Sequence, residues 1–193
     1  AVVTTTTTAP PTTTLPPATT TTLPVSSTPT GPTCNPAPYV DCRKADLSNQ
    51  TILSTNFTGA NLVSANFSGS TVFYGNFRLA QMNSINLAGA SMVNADMAQA
   101  NMMGARAGRA NLTGAFLFGV DASHADFDLT TLTDAAFPHA VLKGASFLSA
   151  SAGNVELVDA NLTNADLRFA NLAGADLTDA NLTDADLTGA DLT

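Results

Sequence analysis

Residues 160–182 read Ala-Asn-Leu-Thr-Asn-Ala-Asp-Leu-Arg-Phe-Ala-Asn-Leu-Ala-Gly-Ala-Asp-Leu-Thr-Asp-Ala-Asn-Leu, a small–polar–large pattern that recurs every five residues. The same frame runs without a slip from Leu47 to Leu192, where every fifth residue is the centre of a unit, thirty units in all. A period of five excludes a long amphipathic helix, because residues five apart on a helix diverge by about 140°. It also excludes one continuous strand, in which residues five apart face opposite sides. The period instead predicts short extended segments separated by bends, each unit forming one side of a coil.

The side-chain sizes predict which positions form the core. The residue two before each centre is Ala in twenty-two of the thirty units, and the centre is large and apolar in all but three. Small and large residues that both point inward can interdigitate in a narrow core. The other positions carry Asn, Asp, Thr, Ser and Gly, which suit corners. Stacked coils pair their backbones about 4.8 Å apart, so the chain is predicted to be a solenoid.

The run from residue 160 to 182 resembles the A-(D/N)-L-x-x signature of the pentapeptide-repeat proteins, and the resemblance extends from Ala45 to Thr193. It implies an all-β fold, a right-handed quadrilateral β-helix with four units in each coil. Residues twenty apart would then stack on one side. Thirty units would make 7.5 coils and a rod of about 36 Å.

The chain divides into a Thr/Pro-rich linker (1–33), a Cys-bounded N-terminal cap (34–44) and the repeat region (45–193). The linker holds fifteen Thr, seven Pro and no charged residue, so it cannot bury a core and is predicted to be a disordered, extended stalk and a candidate for O-glycosylation. Such tracts resemble those of exported actinobacterial proteins, which predicts a secreted or cell-surface bacterial protein. The chain has no initiating Met, no basic leader and no apolar stretch of membrane-spanning length, and looks processed or excised.

Cys34 and Cys42 lie eight residues apart, just before the first unit. In an exported chain they are expected to form a disulfide that closes a short loop and covers the open edge of the first coil. The alternatives are half of a zinc site, which needs four ligands, and two free thiols in a cytosolic protein. The sequence predicts the disulfide, with no metal and no cofactor.

Three units have Ala at the centre, where a large residue is expected: Ala107, Ala122 and Ala152. Their coils are predicted to be under-filled. Either the neighbouring Phe127 or Phe147 fills the space, or the chain forms a bend or bulge there.

Several apolar residues occupy outward positions. Leu53, Phe73 and Val93 are spaced by twenty, which would stack them in a strip. Exposed apolar patches often mark partner surfaces, although loose outward packing or contact with the linker would also place them there. The predicted partner surface comprises Leu53, Phe73, Tyr74, Val93, Phe116 and Phe118.

Charge is unevenly distributed along a chain of net charge −8. Residues 1–120 carry five basic and three acidic side chains, whereas residues 121–193 carry two and twelve. Stacking would align the carboxylates into ladders, one of Asp126, Asp166 and Asp186 and another of Glu156 and Asp176. Such ladders can keep a protein soluble, attract cations or imitate the phosphate backbone of DNA.

Catalytic motifs are absent from the sequence. His124 and His139 fall at outward corners, and there is no nucleophile elbow, no H-E-x-x-H, no phosphate loop and no basic-aromatic nucleic-acid surface. The chain is therefore predicted not to be an enzyme and to bind no nucleic acid. The preferred function is a non-catalytic exported scaffold for an unknown protein or cell-envelope partner.

The resemblance implies an alternative, because some pentapeptide-repeat proteins are acidic DNA mimics that bind type II topoisomerases. Those proteins are cytoplasmic and carry a C-terminal helical dimerisation element, whereas this sequence ends in bare repeats at Leu192 and Thr193. An uncapped last coil exposes inward residues and backbone groups. Either the native chain continues, or two copies are expected to abut end to end as a homodimer.

Overall fold

A computed structural model describes residues 34–53 and 55–193, so the predicted linker lies outside the described residues. Two strands are continuous, β1 (Thr51–Leu53) and β2 (Thr71–Phe73), and they pair in parallel with Leu53 opposite Phe73. Elsewhere, single-residue parallel bridges join residues twenty apart, from the pair Asp41–Asn61 to the pair Asn171–Asp191. The described residues contain no helix. One coil therefore takes twenty residues, or four five-residue units.

Residues twenty apart form columns along the rod, and each unit lies on one of four sides. Each side is named here by an inward residue of its first coil: the Cys42 side, the Leu47 side, the Ile52 side and the Phe57 side. Successive units move to the next side in that order, and the fourth unit after any given unit lies on the same side again.

The core is a stack of the inward residues. Ala160 and Leu162 are 1% and 0% exposed, and the same two positions are buried in nearly every unit from residue 57 to 172. Burying a Leu side chain contributes about 1.5–3 kcal/mol relative to leaving it in water. The predicted inward frame is confirmed by this burial pattern.

Each side ends in a tight corner. The Ala165 N–H donates to the Leu162 C=O at 2.9 Å, which closes a β-turn, and equivalent bonds recur along the rod. The last residue of every described unit from Tyr39 to Gly189 has a φ between 52° and 72°. Gly adopts this conformation freely and Asn and Asp tolerate it, which explains why these three residue types occupy 17 of the 30 described corners.

The polar residue before each centre caps the following turn. Oδ1 of Asn161 accepts hydrogen bonds from the N–H and the hydroxyl of Thr163, at 3.1 and 2.6 Å. Asp176 and Thr178 repeat the arrangement at 2.9 and 2.6 Å. A side chain that bonds the backbone two residues on is the local interaction that Asn and Asp favour in turns. The repeated order Asn or Asp, Leu, Thr therefore stabilises the corner of its own unit.

Regular pairing begins within the segment predicted to be the cap. Asp41 bridges Asn61, and the Cys42 N–H donates to the Asn61 C=O at 2.8 Å. Cys42 is 1% exposed and occupies an inward position, and it forms a disulfide with Cys34 across a Cα–Cα distance of 5.3 Å. The unit 40–44 thus continues the repeat one unit before the sequence boundary at Ala45.

The three units with Ala centres keep their register. Ala107, Ala122 and Ala152 are all at most 2% exposed, and bridges twenty residues apart continue on both sides of each one. The predicted alternative of a bulge is therefore wrong. Phe127 follows Ala107 in the same column, one coil further along. Its ring stacks on the ring of Phe147 with centroids 5.0 Å apart. The buried Thr130 adds a hydroxyl hydrogen bond to the Ala107 C=O at 2.9 Å.

Candidate interaction site

Four of the predicted surface residues form a strip on the Ile52 side and its corner. Leu53 and Phe73 pair in register and are 56% and 39% exposed. Val93 follows in the same column and is half-buried. Tyr74 lies at the corner, has a φ of 52° and is 69% exposed. The strip therefore begins at Leu53 in the first coil of the Ile52 side. At Tyr74 it reaches the corner that leads to the Phe57 side.

The other two residues lie on the Phe57 side. Phe116 and Phe118 are 42% and 36% exposed. Their rings are inclined by 11° with centroids 6.2 Å apart, as expected for two side chains that leave one extended segment on the same face. The predicted partner surface is thus divided between two adjacent sides, with the phenylalanine pair two coils further along the rod than Tyr74.

The next coil extends the phenylalanine pair. The ring of His139 meets the ring of Phe118 edge-on, with centroids 5.3 Å apart, and His139 Nδ1 lies 3.4 Å from Asp159 Oδ2. Pro138 follows Phe118 in its column. The inter-coil ladder of this unit uses the N–H groups of Phe137 and His139, so a proline between them removes no ladder hydrogen bond. The site is in this way framed by a histidine, a proline and a carboxylate.

Sequence reasoning missed a further group of apolar residues that are more than 40% exposed, and all but one of them are at corners. A signal was present, because the last residue of a unit always faces outward. These residues are Tyr39, Leu79, Met103, Leu129 and Phe169, and each is at least 43% exposed. Met103 is the exception and occupies the position before a corner.

The carboxylate ladder on the Leu47 side is partly neutralised. Bridges link Asp126 to Ser146, then to Asp166 and Asp186. Nη2 of Arg168 lies 2.7 Å from Oδ2 of Asp166, and its Nε lies 3.8 Å from Oδ2 of Asp186. The Arg168 hydrogen bond lowers the pKa of Asp166, and the Thr188 hydroxyl bond lowers the pKa of Asp186. Both carboxylates therefore remain charged at neutral pH beside one arginine.

The ladder on the Phe57 side has no such counter-ion. Glu156 bridges Asp176, and neither carboxylate makes an ion pair within the part of the chain that the structure describes. The Thr178 hydroxyl bond lowers the pKa of Asp176. This pair is a more exposed source of negative charge than the ladder on the Leu47 side.

The two histidines lie at corners, as the sequence predicts, and both are exposed. Among residues 34–53 and 55–193, no group of three or more His, Cys, Asp or Glu side chains is placed to hold a metal ion. Over the same residues there is no helix with the length and hydrophobicity of a membrane span.

Eight copies of a family repeat, described as pentapeptide repeats, match residues 41–72, 80–119, 110–147 and 156–193. No curated protein matches the sequence.

Several solved structures are similar to this chain, among them two that are named pentapeptide repeat proteins. One is the pentapeptide repeat protein Rfr23 from the cyanobacterium Cyanothece 51142, at 29% identity and a TM-score of 0.44 over 51% of this chain. That match spans 64% of Rfr23, so this chain covers less than two thirds of its length. Another is HetL from Nostoc sp. strain PCC 7120, a pentapeptide repeat protein involved in heterocyst differentiation regulation, at 26% identity, a TM-score of 0.32 and coverages of 79% and 89%. A third is full-length QnrB1, a plasmid-mediated fluoroquinolone resistance protein, at 19% identity, a TM-score of 0.38 and coverages of 82% and 93%.

Proposed function

Because this chain belongs to the pentapeptide-repeat family, we propose that it is a non-catalytic scaffold that acts outside the cytoplasm of a bacterium and binds a protein or cell-envelope partner. Residues 1–33, which lie outside the described residues, are proposed to act as a linker that holds the rod off the cell surface. The rod itself is proposed to be a right-handed quadrilateral β-helix, since four corners divide each twenty-residue coil.

One observation carries the binding role: large apolar side chains are exposed on two adjacent sides of a rod whose backbone is hydrogen-bonded from coil to coil. Leu53, Phe73 and Tyr74 cluster near one end, and Phe116 and Phe118 lie further along. Aromatic residues presented on a rigid frame lose little conformational entropy when a partner covers them, which suits them to interfaces.

The binding role is tested with two matched variants, Phe73→Ser with Tyr74→Ser, and Phe116→Ser with Phe118→Ser. The full chain and each variant would be immobilised and exposed to cell-envelope extract of the source bacterium, with retained proteins identified by mass spectrometry. A protein that the wild type retains and at least one variant loses supports the scaffold. Equal retention by all three chains would argue against both surfaces.

Export is supported by the Cys34–Cys42 disulfide and by the uncharged Thr/Pro composition of residues 1–33, since disulfides persist in oxidising compartments. Thiol alkylation in intact source cells, followed by immunoblotting of cytoplasmic and external fractions, measures the oxidation state of the two cysteines and the location of the protein in one experiment. We expect an oxidised protein in the external fraction. A reduced protein confined to the cytoplasm would refute export.

A second candidate, an acidic mimic of DNA that binds a type II topoisomerase, draws on the aligned carboxylates of the C-terminal half. Against it, Arg168 pairs with two of them, and Arg78, Arg106 and Arg109 interrupt the N-terminal half. Supercoiling by a bacterial type II topoisomerase should therefore be unaffected by micromolar protein. Inhibition that weakens steeply with salt, and disappears when Asp166, Asp176 and Asp186 become Asn, would favour the mimic.

For the coil at Leu177–Leu192 two arrangements are proposed: further residues of the native chain cover it, or a second copy of this chain abuts it end to end. Its inward residues Leu177, Leu182 and Leu187 are only half-buried, whereas Leu162 is fully buried. Light scattering on the chain and on Leu182→Lys measures this, with a shift from dimer to monomer as the expected result. A monomeric wild type would exclude the dimer.

A further inference from the structure

The Phe57 side changes character along the rod, from apolar to acidic. The change begins at the fourth coil, after Asn56, Asn76 and Asp96 in the first column. From there the two outward columns read Phe116, Ala136, Glu156, Asp176 and Phe118, Pro138, Val158, Thr178. We define the Phe116 patch as Phe116, Phe118, Ala136, Pro138 and Val158, and the acidic rim as Asp134, Glu156, Asp159, Asp176 and Asp179.

The Phe116 patch is accessible and continuous. Its two rings are more than a third exposed and lie parallel, and Ala136, Pro138 and Val158 are half-buried in the two following coils. Ala136 bridges Phe116 directly, so these residues belong to adjoining coils about 4.8 Å apart. A continuous apolar surface of this kind is suited to docking, because covering it releases water from aromatic and aliphatic groups.

The acidic rim surrounds the far end of the patch. Asp134, Glu156, Asp159, Asp176 and Asp179 are all exposed. The four units of this side from residue 115 to 179 contain no Lys or Arg. Their one histidine, His139, has its Nδ1 3.4 Å from Oδ2 of Asp159. At the other end of the patch, Asp96 forms an ion pair with Arg78 of the preceding coil, at 3.2 Å. The carboxylates of the acidic rim therefore lie in the coils that follow Phe116 and Phe118, and none of them has a Lys or Arg partner among the described residues.

We infer that the Phe57 side docks an extended, cationic and apolar polypeptide segment, with apolar side chains on the Phe116 patch and Lys or Arg side chains on the acidic rim. This inference rests on the proposed scaffold function and names the chemistry of its partner. The four coils concerned span about 14 Å, which an extended chain covers in about five residues. The recognised motif is thus short, two apolar residues followed by two or three basic ones.

This partner differs in kind from a DNA-binding protein that binds a mimic of the DNA phosphate backbone. Electrostatic imitation needs charge alone and weakens uniformly with salt, whereas the Phe57 side offers charge at one end and aromatic surface at the other. Binding here must therefore depend on both the apolar and the basic residues of the segment, and part of it must survive high salt.

The test uses the full chain and a fluorescein-labelled ten-residue peptide in which Leu-Phe precedes Lys-Arg-Lys, flanked by Gly and Ser. Binding would be measured by fluorescence anisotropy at 50 and 500 mM salt. Two further peptides replace the apolar pair with Ser or the basic residues with Glu. We expect each to bind at least tenfold more weakly than the parent peptide.

The protein variants locate the binding. Phe116→Ser with Phe118→Ser should weaken the parent peptide at least tenfold, and Glu156→Gln with Asp176→Asn about fivefold at 50 mM salt and less than twofold at 500 mM. The matched controls remove the same groups from the Leu47 side: Phe169→Ser, at a corner where the ring is 60% exposed, and Asp126→Asn with Asp186→Asn. Both should change affinity less than twofold, and thermal melting verifies that all variants fold.

Controls that weaken binding as much as the Phe57-side variants, equal binding of all three peptides, or no binding at millimolar peptide would each overturn the inference. The scaffold proposal would survive such a result if cell-envelope extract still yields a partner that Phe73→Ser with Tyr74→Ser loses. The scaffold proposal would fail on its own if neither pair of serine substitutions changed which cell-envelope proteins the immobilised chain retains.

Discussion

The ring of Phe77 stacks on the ring of Phe57, with centroids 5.2 Å apart and planes inclined by 16°. Phe67 meets Phe77 edge-on from across the core at 6.1 Å, so the ring of Phe77 cannot move freely. Gly75 lies beside it, at a position where most units have Ala. A Cβ on Gly75 would come within 2.6 Å of Phe77 Cε2 and 2.7 Å of Val72 Cγ1.

Gly75→Ala should therefore destabilise the protein by about 1–3 kcal/mol, the usual cost of overpacking a core, although it restores the commonest residue of the repeat. Urea denaturation gives the free energy of unfolding. The double variant Gly75→Ala with Phe77→Leu should recover stability relative to Phe77→Leu alone, because the smaller side chain makes room. If Gly75→Ala instead stabilised the protein, the stacked rings of Phe57 and Phe77 would have to shift to make room for the added methyl group.

Leu162→Asp and Thr163→Asp test the inward frame. Leu162 is 0% exposed, so an unpaired carboxylate there should cost several kcal/mol. Thr163 points outward and loses only its hydroxyl bond to Asn161, so its substitution should cost about 1 kcal/mol or less. Chemical denaturation of both variants measures the difference. Equal losses would contradict the frame.

Acid should weaken the protein below about pH 4. Hydrogen bonds from the Thr178 hydroxyl and N–H lower the pKa of Asp176 in the folded state. The stability this contributes is present above the unfolded pKa of about 3.9 and is lost as the pH falls through the lower folded value. Melting temperature measured from pH 6 to pH 2 should fall, and Thr178→Val should reduce the steepness of that fall. Thr113→Val is the control, since its hydroxyl bonds the non-titrating Asn111 at 2.6 Å; an equal effect of both variants would rule out this cause.

Removing the disulfide should loosen one end of the rod. Cys34→Ala with Cys42→Ala opens a short loop, for which chain entropy predicts a loss of about 2–3 kcal/mol. Because each coil contacts only its neighbours, the loss should be local. Hydrogen exchange should quicken at the amides of Cys42 and Leu47, which bond to the second coil, and stay unchanged at Leu142. Uniform acceleration along the chain would mean that the rod unfolds as one unit.

The inward frame could be read from the sequence because small and large residues alternate with one period, as Ala160 and Leu162 illustrate. The beginning of the regular pairing was harder to predict, because Cys42 replaces the expected large residue, although Asp41 before it fits the pattern. The exposure of Phe116 and Phe118 follows from their outward positions. Their arrangement does not, because how two rings lie against each other and against His139 depends on side-chain packing between coils. Likewise, only the folded coil shows that Arg168 reaches two carboxylates twenty residues apart.

The pairing of residues twenty apart also bears on how such a rod can evolve. A tandem duplication or loss of twenty residues adds or removes one coil and leaves every later side chain in its own column. A change of five residues keeps the core frame but turns the rest of the molecule by one side, so that the Phe116 column would continue into that of Asp121 or Asn111. Length can therefore change in steps of whole coils while every later column keeps its side of the rod, whereas smaller steps move the later columns to another side.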